Sequence, residues 1–345
     1  MYEAKFQKIN LQTAEKVEVE AFLAHFDLTL DKDVEYTLVA RIQDRIVGTC
    51  SFAGNVIKSF ALKEALQGEG IASKLITHIT NEMFDRGIYQ TFIFTKPSNR
   101  HLFEGFGYHE IYATNDVILL ESGLVNIEKY IKNMFNKSQL GNEEKAAIVM
   151  NCNPFTLGHQ NLIEIASKEN KSVVVFIVEE DRSLFPFNVR YNLVKEGTKH
   201  LRNVHVLPGG NYIISANTFP SYFIKEDEKK DKAFKELDAG IFGKYIAPAF
   251  NIKSRYVGTE PFCATTDGYN KALLEVLPNF GVALKILKRF DIDERAISAS
   301  AVRALIKNDD WGQIEKLVPE TTLTFLRSPQ AEKIIDIIKT SETRH

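Results

Sequence analysis

From Lys145 to Lys307 short apolar runs and helix-length segments alternate, and that alternation restricts the fold more than any other feature of the chain. KAAIVMN, KSVVVFIVE, NVHVLP, SRYVGT and ALKILKR have the length and composition of buried strands. NLIEIASKE, RYNLVKEGTKHL, DKAFKELDAGIFGKYI, TTDGYNKALLEVL and SASAVRALIKN lie between or after them with helical character. A strand followed by a helix returns to the sheet parallel to its predecessor, so the pattern predicts a parallel sheet with helices on both faces.

The first third follows a different pattern. EYTLVARI and IVGTCSFA are separated by the charged turn Gln43-Asp44-Arg45, and Gly54-Asn55 leads into VIKSFAL, which predicts a three-stranded antiparallel meander. In the segment that follows, Ile71, Leu75, Ile79 and Met83 recur every four residues, the spacing of one helical face, and Gly87 can stop that helix. YQTFIFT predicts a further strand. Residues 121–145 are polar and helix-prone with a break at Gly141-Asn142, and we place a domain boundary near 140, giving domains 1–140 and 141–345. At about 150 residues per domain, 345 residues agree with two.

Composition limits the partners. Lys+Arg 43 against Asp+Glu 45 leaves a net charge of -2, so no global field draws in nucleic acid or an acidic membrane. Cys50, Cys152 and Cys263 are odd in number and far apart, which argues against a disulfide framework or a Cys-rich zinc site and fits a reducing compartment. The mixed, polar start MYEAKFQKIN does not resemble a secretion signal, and the longest continuous aliphatic-aromatic run, VVVFIV, is far short of the ~20 residues that span a bilayer. These readings predict a cytoplasmic protein. EDEKKDK at 226–232 is read as a solvated helix entry or loop.

Two turns carry the chemistry. Gln67-Gly68-Glu69-Gly70-Ile71-Ala72 joins the third meander strand to the amphipathic helix, where paired glycines and free helix N–H groups suit a pyrophosphate or form a plain strand-to-helix turn. The motif Q-x-x-G-x-A, with the later Phe103-Glu104-Gly105-Phe106-Gly107-Tyr108, resembles the GCN5-related N-acetyltransferase family over roughly residues 1–120. The resemblance implies a mixed α+β domain whose backbone around Gln67, Gly68, Gly70 and Ala72 grips a coenzyme-A-like pyrophosphate. No residue stands out as a base for acetyl transfer.

The second turn, Asn153-Pro154-Phe155-Thr156-Leu157-Gly158-His159, runs from the first parallel strand into a helix, at the sheet edge where open α/β folds bind ligands. Gly158 permits close approach of a phosphate, and His159 is able to donate to a phosphoryl oxygen beside a helix terminus. Far along the chain, Ile297-Ser298-Ala299-Ser300-Ala301-Val302-Arg303 opens another helix, where Ser298 or Ser300 serves either as a cap or, with Arg303, as a phosphate contact. In this order the pair resembles the nucleotidylyltransferase superfamily, with Thr156 in place of the first histidine of [HT]xGH and Ser300 where threonine is common in the late motif.

That resemblance implies a Rossmann-like parallel-sheet domain in which a nucleophile attacks the α-phosphorus of ATP and pyrophosphate leaves, without a covalent enzyme intermediate. It implies His159 and Thr156 at the α-phosphate, with Ser298, Ser300 and Arg303 at the pyrophosphate. It also implies Mg2+ on the phosphates, and a place near the nucleotide for Gly258, Thr259 and Glu260. Tyr269-Asn270 is a weaker candidate, and Arg190 is read as a surface salt bridge or a phosphate contact.

An acetyltransferase-like domain ahead of a nucleotidylyltransferase domain, together with VMNCNPFTLGHQNLIEIAS, LPGGNYIISANTFPSYFIK, GTEPFCATTDGYN and AISASAVR, resembles the citrate lyase ligase family over nearly the whole chain. Membership would imply an acid–thiol ligase that uses acetate and ATP, through acetyl-AMP, to acetylate the thiol of the citrate lyase acyl carrier protein. The carrier bears a dephospho-CoA-type prosthetic group, and its acetylation activates the lyase. Two other readings stay open: a bifunctional acetyltransferase/adenylyltransferase acting on phosphopantetheine or a mononucleotide, and a non-catalytic nucleotide-sensing or carrier-docking module.

Overall fold

The computed structural model describes residues 3–179, 183–213, 223, 227–259, 264–288, 291–292 and 295–340. The chain forms two compact units, residues 1–130 with 218–237, and residues 131–217 with 238–345. Among the described residues no helix is long and apolar enough to cross a membrane.

The first unit is built on a seven-stranded sheet. Its strands are β1 (Lys5–Lys8), β2 (Tyr36–Ile42), β3 (Arg45–Ala53), β4 (Val56–Leu62), β5 (Gln90–Thr95), β6 (His109–Ala113) and β7 (Ile118–Gly123), in the order β1-β2-β3-β4-β5-β7-β6. The expected meander is β2-β3-β4, antiparallel throughout. Helix α1 (Glu15–Ala24) follows β1, α2 (Ile71–Asp85) joins β4 to β5, and α3 (Arg100–Glu104) precedes β6. Ile71, Leu75, Ile76, Ile79 and Met83 of α2 are buried against Leu38, Cys50, Phe52, Ile93 and Leu120 of the sheet. Each such side chain contributes about 1.5–3 kcal/mol on burial, which holds α2 in place. Strands β4 and β5 run parallel and pair only at Val56–Phe92 and Ile57–Ile93. Beyond these pairs β4 continues alongside β3 but not β5, and the chain leaves its end through a 3-10 turn, Glu64–Leu66, into the glycine-bearing turn.

The polar stretch 121–145 begins as strand rather than helix. Ile118, Leu119 and Leu120 are buried, and β7 pairs with both β5 and β6. Glu121 is buried because its carboxylate accepts from Gln90 Nε2 (2.8 Å) and from the backbone N–H of Ile127 (2.8 Å), at the start of α4 (Ile127–Ser138). Lys58 is likewise buried, its ammonium donating to Asp31 (3.2 Å) and Asp33 (2.8 Å) from the loop before β2. Lys58→Met removes the buried ammonium that both carboxylates share and is expected to lower stability by about 3–5 kcal/mol in a denaturant titration.

The second unit holds the expected parallel sheet: β8 (Lys145–Met150), β9 (Val173–Ile177), β10 (Val204–Pro208), β11 (Ile252–Gly258) and β12 (Ala283–Leu287), in the order β10-β9-β8-β11-β12. All four pairings are parallel. The chain winds outward from β8 in one direction, then returns to the other side of β8 with β11. The strand order therefore reverses between β8 and β11, and a crevice opens there at their carboxyl ends. Helices α5 (Leu157–Glu169), α6 (Phe187–Gly197), α7 (Asp227–Ile241), α9 (Ala264–Val276) and α10 (Ala299–Lys307) correspond to the five helical segments read above; α7 runs through a π-helical turn, Phe242–Ile246, into α8 (Ala247–Phe250), which no such segment covers. EDEKKDK thus leads into a helix. Beyond them α11 (Trp311–Leu317), α12 (Glu320–Leu326) and α13 (Glu332–Thr340) pack on α10 through Val302, Ile306, Ile314, Leu326 and Ile338.

Candidate active site

At the β8/β11 switch point lies a cavity of 390 Å³. Val149, Met150 and Asn151 from the end of β8, Thr156, Gly158 and His159 from the following turn, and Val257 and Gly258 from the end of β11 line it, with Ile297 from the late motif. Residues nearly 140 apart in sequence thus share one wall. A Cβ on Gly158 would stand 3.3 Å from the Ile297 carbonyl oxygen and 3.6 Å from Thr156 Oγ1, so the glycine allows the two motifs to meet.

The local geometry fixes the histidine. Thr156 is the N-cap of α5, and its hydroxyl accepts from the backbone N–H of His159 (3.4 Å). In return the Thr156 backbone N–H donates to His159 Nδ1 (3.1 Å), which also lies 2.9 Å from Thr156 Oγ1. This is a capping box with histidine in the place of the usual Glu or Gln. A ring nitrogen that accepts from a backbone N–H carries no proton, so the neutral ring has its hydrogen on Nε2. Phe155, fully buried, stacks on the imidazole with ring centres 6.1 Å apart and planes 14° from parallel. Its carbonyl accepts from the buried Thr322 hydroxyl of α12 (2.9 Å). The Asn153–Pro154 bond is cis, and Asn153 Oδ1 accepts from the backbone N–H of Phe185 (3.0 Å).

The late motif sits beside this turn. Ser298 caps α10, its hydroxyl accepting from the Ala301 N–H (3.0 Å) and lying 3.0 Å from the Ser300 hydroxyl. Ser300 is exposed. Arg303, a turn further on, donates from Nη1 to the Asn153 carbonyl at 2.6 Å, tying residues 150 positions apart. Burial pulls its pKa below the usual arginine value. Gly258 leaves open space where a side chain would project, and its carbonyl accepts from Asn270 Nδ2 (3.0 Å), so Asn270 secures the end of β11. The Thr259 N–H donates to the Leu287 carbonyl (2.8 Å), extending the β11–β12 pairing. Glu260 lies outside the described residues.

Arg190 is not a surface residue. It is fully buried, donating to the carbonyls of Phe185 (2.9 Å), Asn151 (2.8 Å) and Val178 (2.8 Å) and to Asn151 Oδ1 (2.7 Å). It thereby braces the loops behind the turn. Cys152 is buried with φ at 56°, and burial raises its thiol pKa, which keeps it protonated and non-nucleophilic. The cavity wall also includes Asn151, Asn161, Tyr256, Tyr269 and Lys288. No motif marks Asn151 or Lys288; each is the residue that follows a parallel strand, and only the strand order brings those ends together.

In the first unit, Gln67, Gly68 and Gly70 are exposed and Ala72 is half-buried. Gly68 (φ 85°) and Gly70 (φ 75°) adopt left-handed backbone, and a Cβ on either would meet nothing within 4 Å. Gly70 begins α2 with no side-chain cap and no acidic residue in the first turn, which leaves backbone donors facing open space.

These two constructions define a class: an acetyltransferase-type unit joined to a parallel-sheet unit with a cavity at its switch point. Comparison with known proteins agrees. The Acetyltransferase (GNAT) family model matches residues 4–108, and the Citrate lyase ligase C-terminal domain model matches residues 145–326. The chain is 37% identical over 313 residues to a [Citrate [pro-3S]-lyase] ligase of Klebsiella pneumoniae, covering 89% of this chain and 91% of that one. It is 36% identical over 317 residues to the protein of the same name from Escherichia coli (strain K12), covering 90% of each. Over 57 residues it is 42% identical to a phosphopantetheine adenylyltransferase of Psychromonas ingrahamii, covering 16% of this chain and 35% of that one. The chain belongs to the citrate lyase ligase family and is a ligase.

Proposed function

We propose that the second unit joins acetate to the α-phosphate of ATP and that the acetyl group then passes to the thiol of the citrate lyase acyl carrier protein. The observation that carries this reading is that the TxGH turn lines the cavity at the switch point together with Ile297, the first residue of the ISxS motif, with Gly158 against the Ile297 carbonyl. An acetate oxygen attacks the α-phosphorus in line, the bond from the α-phosphorus to the α,β-bridging oxygen breaks, and pyrophosphate leaves. The resulting mixed anhydride turns a poor acyl donor into a reactive one. The carrier thiolate then attacks the acetyl carbonyl, AMP departs, and the thiol proton goes to solvent.

In this reading His159 donates through Nε2–H to an α-phosphate oxygen, where negative charge builds in the transition state. The capping box sets both the tautomer and the ring position, with Thr156 acting through it. Ser298, Ser300 and Arg303 hold the departing pyrophosphate, while Asn153, Pro154 and Phe155 support the ATP site from behind the cavity wall, Asn153 through the Arg303 bond and Phe155 by stacking on His159. Gly258 lines the cavity and Thr259 follows it in the chain. Lys288 and Arg303 carry fewer positive charges than the phosphate chain carries negative ones, which fits an ATP-borne Mg2+ that neutralises the remainder.

The turn Gln67–Ala72 holds the pyrophosphate of the carrier's dephospho-CoA-type arm. The exposed glycines and uncapped α2 start support this role. Gly70→Val places a β-branched residue at φ 75° and puts methyl groups where the phosphate would lie. It is expected to raise the KM for the carrier protein at least tenfold while leaving acetate-dependent pyrophosphate exchange unchanged, both measured on the same preparation. Equal loss of both activities in a folded variant would remove the turn from carrier binding.

A further inference from the structure

Behind the β11 wall of the cavity lies a buried charged pair that neither motif accounts for. Arg255, on β11, is 1% exposed and Asp238, on α7, is 4% exposed. Arg255 Nη2 stands 3.8 Å from Asp238 Oδ2, too far for a direct hydrogen bond. The hydroxyl of Tyr269, on α9, bridges them: it accepts from Arg255 Nη2 (2.7 Å) and donates to Asp238 Oδ2. The guanidinium packs over the Phe242 ring (4.5 Å from its centroid) and, further off, over the Tyr269 ring (5.6 Å). Among the described residues, the buried Arg255 Nε and Nη1 have no hydrogen-bond partner.

As packing, this arrangement is a poor bargain: three apolar side chains of similar volume would fill the space without burying an ion pair that leaves two donors unmet. What it achieves is placement. Tyr269 lines the cavity, and its hydroxyl has both its proton and its acceptor site committed. The next residue, Asn270, grips the Gly258 carbonyl at the end of the strand that carries Arg255. Consecutive residues of α9 are therefore locked to β11 at two points, one through a buried charge pair and one through a backbone carbonyl.

We propose that the Asp238–Tyr269–Arg255 bridge is a positioning device that sets the Tyr269 ring as a rigid wall for the nucleotide opposite His159. Tyr269 is the contact residue; Arg255 and Asp238 act through it. The proposal rests on the reading of this cavity as the ATP site, but not on acetate being the nucleophile.

Isothermal titration of the full-length protein with Mg–ATP tests it, alongside ATP–pyrophosphate exchange and a thermal melt. Tyr269→Phe keeps the ring and removes the bridge. It should weaken ATP at least tenfold in both Kd and KM, with kcat for exchange changed less than threefold. The double variant Arg255→Met with Asp238→Leu removes both charges together, so it leaves no stranded ion, and should show the same split. ATP affinity within twofold of the parent in either variant would overturn the proposal, whatever the melting temperature does. Parent protein that fails to bind ATP would overturn it as well. ATP binding without acetate-dependent exchange would instead overturn the acetate reading, and the affinities of the variants would still decide this one.

Discussion

His159→Ala is expected to slow acetate-dependent adenylate formation by about 10²–10³-fold, the usual consequence of removing one donor aimed at charge that develops in a transition state. Three features of the site support that size. The imidazole borders the cavity, so its Nε2–H has access to a ligand there. Its Nδ1 is occupied by the Thr156 N–H, which excludes the other neutral tautomer. Phe155 stacks on the ring and is itself pinned by Thr322, so the donor is held in place before substrate arrives. Loss of the reciprocal half of the capping box also lowers stability by about 1 kcal/mol. A melt separates this modest effect from the catalytic one, because the folded fraction at assay temperature stays near complete. Exchange kinetics at saturating ATP then report the lost donor as a fall in kcat. A variant within threefold of the parent would remove His159 from the chemistry.

The second large effect is expected at Arg303. Arg303→Met removes a guanidinium that donates to the Asn153 carbonyl at 2.6 Å and, in the proposed mechanism, also holds the leaving pyrophosphate. Both losses fall on ATP: the turn before α5 loses its tie to α10, and the departing charge loses a partner. We expect kcat/KM for ATP to fall at least 100-fold, with the KM for acetate changed little. Arg303→Lys retains one charge but cannot present the planar fork, so it should recover only part of the activity. Equal losses in the Lys and Met variants would show that the geometry of the fork matters more than the charge.

Much of this architecture is legible from local pattern because the relevant segments are locally consistent. The parallel strands β8, β9 and β10 stand out as short aliphatic runs, and the spacing of Ile71, Leu75, Ile79 and Met83 marks α2 as a helix packed by one face. Strand β1 shows no such pattern: KFQK is mostly exposed and owes its conformation to pairing with β2. Strand β7 is obscured by its polar end, since Glu121 is buried only because Gln90 and the Ile127 N–H satisfy its carboxylate. At the site, the motif residues Thr156, Gly158 and His159 are legible because their chemistry depends on local spacing. Lys288 and Asn151 are not, because their place on the cavity wall follows from the strand order. Arg190 is the opposite case. A lone arginine among FPFNVRYNLV gives no sign that backbone carbonyls from two loops and a strand end will surround it, and the surface salt bridge read for it gives way to a buried brace.

If this cavity adenylates acetate, as we propose, labelled pyrophosphate exchanges into ATP with magnesium in the absence of carrier protein. That exchange should depend on acetate, saturate with it, and fall away in His159→Ala. Exchange that ignores acetate but requires phosphopantetheine or a mononucleotide would contradict it and identify a phosphate, rather than a carboxylate, as the nucleophile.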